Sequence, residues 1–449
     1  MNARTRTLAL VAAACAGLGT APAAHANPND YFGFGARAIG FGGAFGALAD
    51  DFTANYYNPA GLATNDALQI ELGYMYVAPK LRLNDGDLDV DTVHGFQGGL
   101  VVPGKVWGHQ LGLSIGLHLP DQRVTRLRAL PEGQARFVLY DNHPQRLVLT
   151  TSLGFEVFKD LVYVGIGLNY LSDTKGRLDV VGNVDLTDEN GTTLMSSVDV
   201  NFVAARYVSA GILVKPMPNL RIGLSFRDEF DLSLDIGVVV NGDIVLDGAS
   251  AEPTVLVPGA VLTVVSENSN LFSPRQISLS AAWTTPGWTL AAELTWQQWS
   301  RFRTPTAFLT TSLDAGSLPL AIPPSPQPTP PGFHDTFVPR IGGEVRLLCS
   351  DHVLIDARMG VWFEPSPAPA QTGSRNFVDG DKLGLGMGFS IGFQKVTDVF
   401  PRPFWLDVGG LVLWLPERLH LKSSPADAVG DYISDGEIWG FSSNLRFEF

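Results

Sequence analysis

The connections between candidate strands alternate in length along the chain, and few folds permit that. Short ones are Lys159-Asp160, Lys215–Asn219, Pro286-Gly287 and Ser350-Asp351, with modest ones at Pro103–His109 and Lys395–Pro403. Long ones fall between them: Asp121–Gln145, Ser172–Ser197, Asn241–Arg275, Arg301–Thr336, Glu364–Asp381 and Pro416–Gly436. A soluble Greek-key protein has no reason to alternate in this way. A transmembrane barrel does, because its turns are short on the periplasmic side and its loops long on the outer side.

The strands show the same logic. They are expected near Leu68–Val77, Gly95–Val102, Gln110–Leu119, Arg146–Phe158, Leu161–Leu171, Val198–Val214 and Leu220–Val239. They continue near Gln276–Thr285, Trp288–Trp299, Phe337–Leu348, His352–Phe363, Lys382–Phe393, Phe404–Leu415 and Glu437–Phe449. That is about 14, an even number as bacterial barrels require. In the last one Trp439, Phe441, Leu445, Phe447 and Phe449 share one face, and Gly440, Ser442, Asn444, Arg446 and Glu448 the other. Period-2 alternation of this kind puts one face toward lipid and the other toward a lumen. The fold class expected is therefore all-β, an antiparallel transmembrane β-barrel.

Composition agrees. Charged residues make 17% of the 449, against roughly 25% in ordinary globular domains. A hydrophobic share of 45% excludes an extended disordered chain. The body has no uncharged run of the ~20 residues that a membrane helix needs. The net charge of −14 argues against nucleic acid, whose binders carry basic patches.

At the start, Arg4 and Arg6 precede an apolar run to Leu18, and Ala24-His25-Ala26 offers a cleavage site. Residues 1–26 therefore read as a secretory signal peptide. Its removal takes the charge of −14 down by two, to −16, and removes Cys15. Cys349 alone cannot form an internal disulfide, so stability must come from elsewhere, and a closed sheet would suffice.

Strand phase sets some charges inside. Arg221, Arg227, Glu293, Arg340, Glu344, Arg346, Asp356 and Arg358 are all expected to face the lumen. Two readings compete: an ion-pair network bracing the barrel, or arginines that attract the head group of an anionic ligand. Arg340, Arg346 and Arg358 are the ligand-binding candidates among them. In Phe404–Leu415 the inward set is Trp405, Asp407, Gly409, Leu411, Leu413 and Leu415. A water-filled porin would not line itself with leucines, whereas a path for apolar solutes would. A phase slip of one residue would reverse this reading.

From Tyr31 to Ala63 the chain is dense in Gly and Phe, with poor alternation. This block resembles the N-terminal hatch of the FadL/TodX family of outer-membrane channels for long-chain fatty acids and aromatic hydrocarbons. The matching residues are Gly40, Gly43, Ala44, Ala49, Asp50, Asp51, Ala54 and, most specific, Asn58-Pro59-Ala60-Gly61. The stretches Ser273–Gln276, Leu294–Phe302, Phe363–Pro367 and Asn376–Lys382 are similar to the same family, so the likeness covers nearly all of the mature chain.

The resemblance implies a monomeric barrel of 14 strands (residues 66–449) plugged by a hatch (27–65), in the bacterial outer membrane. It implies capture of an apolar ligand at external loops, transfer to a lumenal site near the hatch, and sideways release at a kinked third strand. Here Gly112, Gly116 and Pro120 could permit such a kink. Phe41 and Phe45 are expected to line or cover the route, with Phe32 and Phe34. Val255–Val265 is either a wall of the capture groove or an extra strand. The expected partners are the hydrophobic ligand, outer-membrane lipid and lipopolysaccharide, and the barrel-assembly machinery through Phe449. No cofactor is expected.

Other motifs point to less. Gly112-Leu113-Ser114-Ile115-Gly116 and Gly388-Phe389-Ser390-Ile391-Gly392 match G-x-S-x-G. A hydrolase elbow needs a strand-to-helix turn, and both matches sit inside strands. Asp85, Asp87, Asp89 and Asp91 lack the Gly and the closing Glu of a calcium loop, since Val90 and Phe96 stand there. The histidines make no zinc spacing. Pro323–Pro331 reads as a stiff external loop. The rival functions are a barrel enzyme acting on lipids, for which Ser114 and His118 are the nearest pair, and a structural or receptor barrel with a polar, filled lumen.

Overall fold

The computed structural model describes residues 32–122, 134–140, 147–185, 193–233, 236–246, 254–267, 269–304, 308–314, 330–373, 375–395, 402–422 and 429–449. The expected signal peptide and nearly all of the Pro-rich run at 323–331 lie outside the described residues.

Fourteen strands form the wall. They are β1 Gln69–Leu83, β2 Val93–Val106, β3 His109–Pro120, β4 Val148–Phe158, β5 Val162–Asp185, β6 Thr193–Met217 and β7 Leu220–Arg227. The second half is β8 Gln276–Thr284, β9 Trp288–Gln297, β10 Thr336–Cys349, β11 Val353–Glu364, β12 Lys382–Phe393, β13 Phe404–His420 and β14 Tyr432–Glu448. Each pairs antiparallel with the next. The ring closes between β14 and β1, from Gln69 opposite Glu448 to Leu83 opposite Ser434. Closure leaves no barrel edge unpaired, which a sheet in hydrocarbon requires.

The phase predicted from sequence is the phase observed. Leu72, Leu224, Leu279, Leu294, Ile341, Met359 and Phe441 are exposed on the outer face. Glu293, Asp356, Arg358, Asp407 and Arg446 are buried inside. The inward set of β13 is buried as expected, with Leu411, Leu413 and Leu415 in the core.

Two expectations fail on the outer side. Leu220–Val239 is not one strand: β7 ends at Arg227, Phe230–Ser233 pairs with Ser269–Ser273, and Ile236–Leu246 joins a separate extension. Asp228 and Glu229 turn the chain out of the wall, held by Arg275 and Arg301 at 2.9 Å each. The connection Ser172–Ser197 is mostly strand, because β5 and β6 continue together past the wall, to Asn183 opposite Thr193. Ile236–Leu246 pairs parallel with the outer half of β5, Thr254–Glu267 pairs with it in turn, and Phe308–Asp314 follows. Val255–Val265 therefore lies in an extra strand of this external sheet, the second of its two readings.

The third strand, β3, runs in unbroken register with β2 from Gly95 opposite Pro120 to Val106 opposite His109. It keeps register with β4 from Leu111 opposite Phe155 to His118 opposite Val148. The wall is shut along that strand.

Candidate functional site

Residues 32–65 lie against the inner wall. The segment holds two short helices, α1 Ala36–Gly40 and α2 Ala54–Tyr57, and a 3-10 helix at Pro59–Thr64. Asn58 starts the 3-10 helix: its Oδ1 accepts from the Ala60 amide at 3.1 Å, and Pro59 follows at the first helical position, where no donor is needed. Its Nδ2 donates to the Gly46 carbonyl at 3.0 Å and to the Ile212 carbonyl of β6 at 3.2 Å. One side chain thus closes the helix, a loop and the wall together.

The segment packs onto glycine backbone at this contact. A Cβ on Gly211 would fall 1.9 Å from Asn58 Oδ1, and one on Gly61 would fall 1.7 Å from the Ala49 carbonyl oxygen. Only glycine fits either place. Ala60 and Gly61 are buried with Asn58 and Pro59.

Arg37 donates to Asp50 at 3.0 Å and to Asp51 at 2.6 Å, and Asp51 also accepts from the Thr53 amide at 2.9 Å. Phe41 and Phe45 are fully enclosed, their ring centres 5.7 Å apart, with Tyr57 5.6 Å from Phe45. Burial would raise the Asp50 carboxyl, but Arg37 and Arg221 outweigh it and hold it below the ordinary 3.8. A lowered value means that the contact stabilises at pH above the ordinary range and is lost as pH falls through the lowered one. Amide exchange across residues 36–57 should therefore stay slow at pH 4 and quicken only in stronger acid. Arg37→Met should move that onset upward; an unchanged onset would show that the pair does not hold the segment.

Beside the segment lies a cavity of about 60 Å³. Phe32, Ile39, Trp362 and Leu411 form an apolar side; Arg227, Glu293 and Arg340 form a polar one. Arg227 lies 3.7 Å over the Tyr56 ring and donates to Gln276 at 2.6 Å. Arg340 has the Gly42 carbonyl at 3.4 Å and makes no ion pair among the described residues.

The three candidate arginines are not brought together. Arg346 is paired with Asp356. Arg358 is held by Glu344 at 2.5 Å and by Asp407 at 3.2 Å, and Asp407 is also faced by Arg446 at 3.6 Å. These ions brace β10 to β14 and β1. Only Arg340 borders the cavity.

Above it, a single buried apolar cluster climbs the lumen. It joins Phe32 and Ile39 to Val77, Leu81, Leu411, Leu413, Leu415 and Ile438 on the wall, and then to Phe137, Tyr140, Phe333 and Phe377 in the outer loops. Sequence reasoning found the leucines by phase, but nothing local signalled Val77, Leu81 or Ile438 as their neighbours. On the lipid side of β2 to β5 a groove of about 630 Å³ is lined by Leu100, Val102, Leu113, Ile115, Leu153 and Ile166, and the inward-facing Ser114 and Ser152 also border it.

The enzyme-like motifs lie inside strands β3 and β12. Ser114 accepts from Asn55 at 2.8 Å, and Ser390 is bound by Arg358 and Asp407. His118 is buried with neither ring nitrogen hydrogen-bonded among the described residues. In the acidic outer turn, Asp87 accepts from the Asp89 amide at 2.9 Å. No group of three metal-binding side chains occurs among the described residues.

Several known proteins are similar. The chain is 24% identical over 428 residues to alkane uptake protein A of Marinobacter nauticus, covering 89% of this chain and 86% of that one. A FadL homologue from Pseudomonas aeruginosa superposes with a TM-score of 0.57 at 16% identity, over 95% of this chain and 99% of that one. The toluene transporter TodX of P. putida superposes at 0.51 and 14% identity, over 93% and 99%. These likenesses establish the fold, a closed antiparallel β-barrel. A family model for outer membrane protein transport proteins matches residues 12–400, and the chain belongs to that family, OMPP1/FadL/TodX.

Proposed function

We propose that the chain is a passive channel for hydrophobic small molecules across the outer membrane. The observation that carries this is the unbroken apolar cluster from the outer loops to the N-terminal segment. A solute that already prefers hydrocarbon needs no energy source, only a dry route past the lipopolysaccharide layer.

Residues 32–65 act as the hatch, with Asn58, Pro59, Ala60 and Gly61 seating it on the wall and Asp50 and Asp51 bracing it through Arg37. Phe41 and Phe45 make its packed body. The cavity of about 60 Å³ is the lumenal binding site in its closed form. By the usual measure it has room for a few waters, so a ligand enters as the hatch shifts. Release runs sideways at β3 into the lipid-side groove that Ser114 and Ser152 border, and requires the closed β3–β4 ladder to part. Alkanes, aromatic hydrocarbons and long-chain fatty acids are the candidate cargoes. The chain works as a monomer, and Phe449, whose backbone pairs with Leu68, offers the terminal aromatic to the assembly machinery.

Arg340 extends the reading to anionic cargo, because an unpaired guanidinium beside an apolar wall binds a carboxylate. The test is uptake of labelled hexadecane, toluene and oleate by cells that lack their own hydrophobic channels. The chain should speed at least one of them severalfold. Arg340→Ala should cut oleate uptake roughly tenfold, as expected from a lost charge-assisted hydrogen bond, while the hydrocarbons change less than about twofold. Uptake no faster than in empty-vector cells for all three would sink the channel reading.

A further inference from the structure

The cavity beside the N-terminal segment carries a pair of opposite charges that do not meet. Glu293 of β9 and Arg340 of β10 are cross-strand partners, and both line the cavity. Opposite charges on facing positions of an antiparallel pair ordinarily attract each other into contact. Here each is drawn to a different part of the segment, and no ion pair joins them among the described residues. Glu293 Oε2 accepts from the Gly46 amide at 2.9 Å, and its Oε1 accepts from the Thr295 hydroxyl at 3.3 Å. Arg340 donates a long hydrogen bond, 3.4 Å, to the Gly42 carbonyl and lies 5.9 Å from the Trp362 ring. Both groups keep spare capacity, since a carboxylate has roughly four acceptor sites and a guanidinium about five donors.

Size and surroundings say what could use that capacity. A cavity of about 60 Å³ takes a few atoms and not a hydrocarbon chain. Its apolar side includes Leu411, which continues into the buried cluster with Leu413 and Leu415. A small polar head therefore fits the space as it stands, with an alkyl chain behind it among the leucines. The two facing charges cancel, and this selects among heads. A carboxylate satisfies Arg340 but lies against Glu293. An ammonium does the reverse. A hydroxyl serves both from one atom, because it donates one hydrogen bond and accepts another. Hydrogen bonds to ionised partners are also the stronger kind. The hydroxyl reproduces the bonds of a water that it displaces, which the methyl end of an alkane does not.

We infer that the cavity is a head-group site for primary alkyl alcohols, the hydroxyl donating to Glu293 and accepting from Arg340. Glu293 then separates alcohol from acid, since Arg340 can hold either head. The inference rests on the channel reading for the route by which the chain arrives, and the site itself is tested by binding alone.

The purified chain in nanodiscs should retain labelled 1-dodecanol saturably over empty nanodiscs, about tenfold more tightly than dodecane, as a hydrogen bond to a charged group allows. Glu293→Gln keeps the shape and an oxygen for the Gly46 amide but removes the charge. It should weaken 1-dodecanol about tenfold and leave dodecanoate as tight or tighter. A merely structural role for Glu293 would weaken both alike, so the split between alcohol and acid is the readout. A folded Glu293→Gln barrel that loses both ligands equally overturns the site. So does a parent chain that holds 1-dodecanol no better than dodecane, a comparison that stands even if the variant does not assemble. Saturable 1-dodecanol binding by a chain that speeds no uptake upholds the site and overturns the channel.

Discussion

Gly61→Val should assemble as a closed barrel and leak. The new Cβ would sit 1.7 Å from the main-chain carbonyl oxygen of Ala49, and its place is set by the backbone, so no rotamer relieves the clash. The 3-10 helix at Pro59–Thr64 has to leave Ala49, taking Asn58 off the Ile212 carbonyl. Clashes of this kind cost about 1–3 kcal/mol or more. None of the fourteen ladders includes residue 61, so the wall does not share the loss. Heat-dependent gel mobility should stay that of a folded barrel, while entry of a small hydrophilic antibiotic rises severalfold. Gly287→Ala, in a turn with nothing within 4 Å, should do neither. A folded Gly61→Val barrel as tight as the parent would show that the segment does not close the lumen.

The wall was legible because lipid imposes a rule on every strand that crosses it. Outward residues must be apolar, so Trp439, Phe441 and Leu445 set the phase of β14, and the leucines of β13 fell inside as read. Beyond the membrane the rule lapses. The outer halves of β5 and β6 include Asp173, Lys175 and Asp179, in a stretch where the sequence predicts a loop, yet they keep pairing. The external strand at Ile236–Leu246 has Val238, Val239 and Val240 in a row, with no alternation to separate it from β7.

The site was less legible for a different reason. Strand phase puts Arg346, Arg358, Asp356 and Asp407 all inside, but not which of them meet, since register between strands is absent from either strand alone. The same limit hid the Asn55–Ser114 hydrogen bond, which joins residues 59 apart. The glycines told more than they were asked. Gly211 lies on a lumenal face because the chain that rests on it allows no side chain.

A polar group in the lumenal leucines should stop cargo without opening the barrel. Leu413 is buried in the cluster that links the outer loops to the cavity, opposite Ile438 of β14 and Gly384 of β12. Leu413→Asn puts an amide into a buried apolar cluster, and an amide left unbonded there costs about 1–3 kcal/mol unless water follows it in. Water that follows must be displaced by each passing alkane, which cannot replace its hydrogen bonds. The barrier to the apolar solute therefore rises by a similar amount, and hexadecane uptake should fall roughly tenfold. Val412→Ala, one residue along and facing lipid, should leave uptake within about twofold. The hydrophilic antibiotic should enter no faster in either variant, since neither change makes a backbone clash with residues 32–65. If Leu413→Asn transports hexadecane as the parent does, the cargo does not travel along β13, and the apolar cluster is packing rather than path.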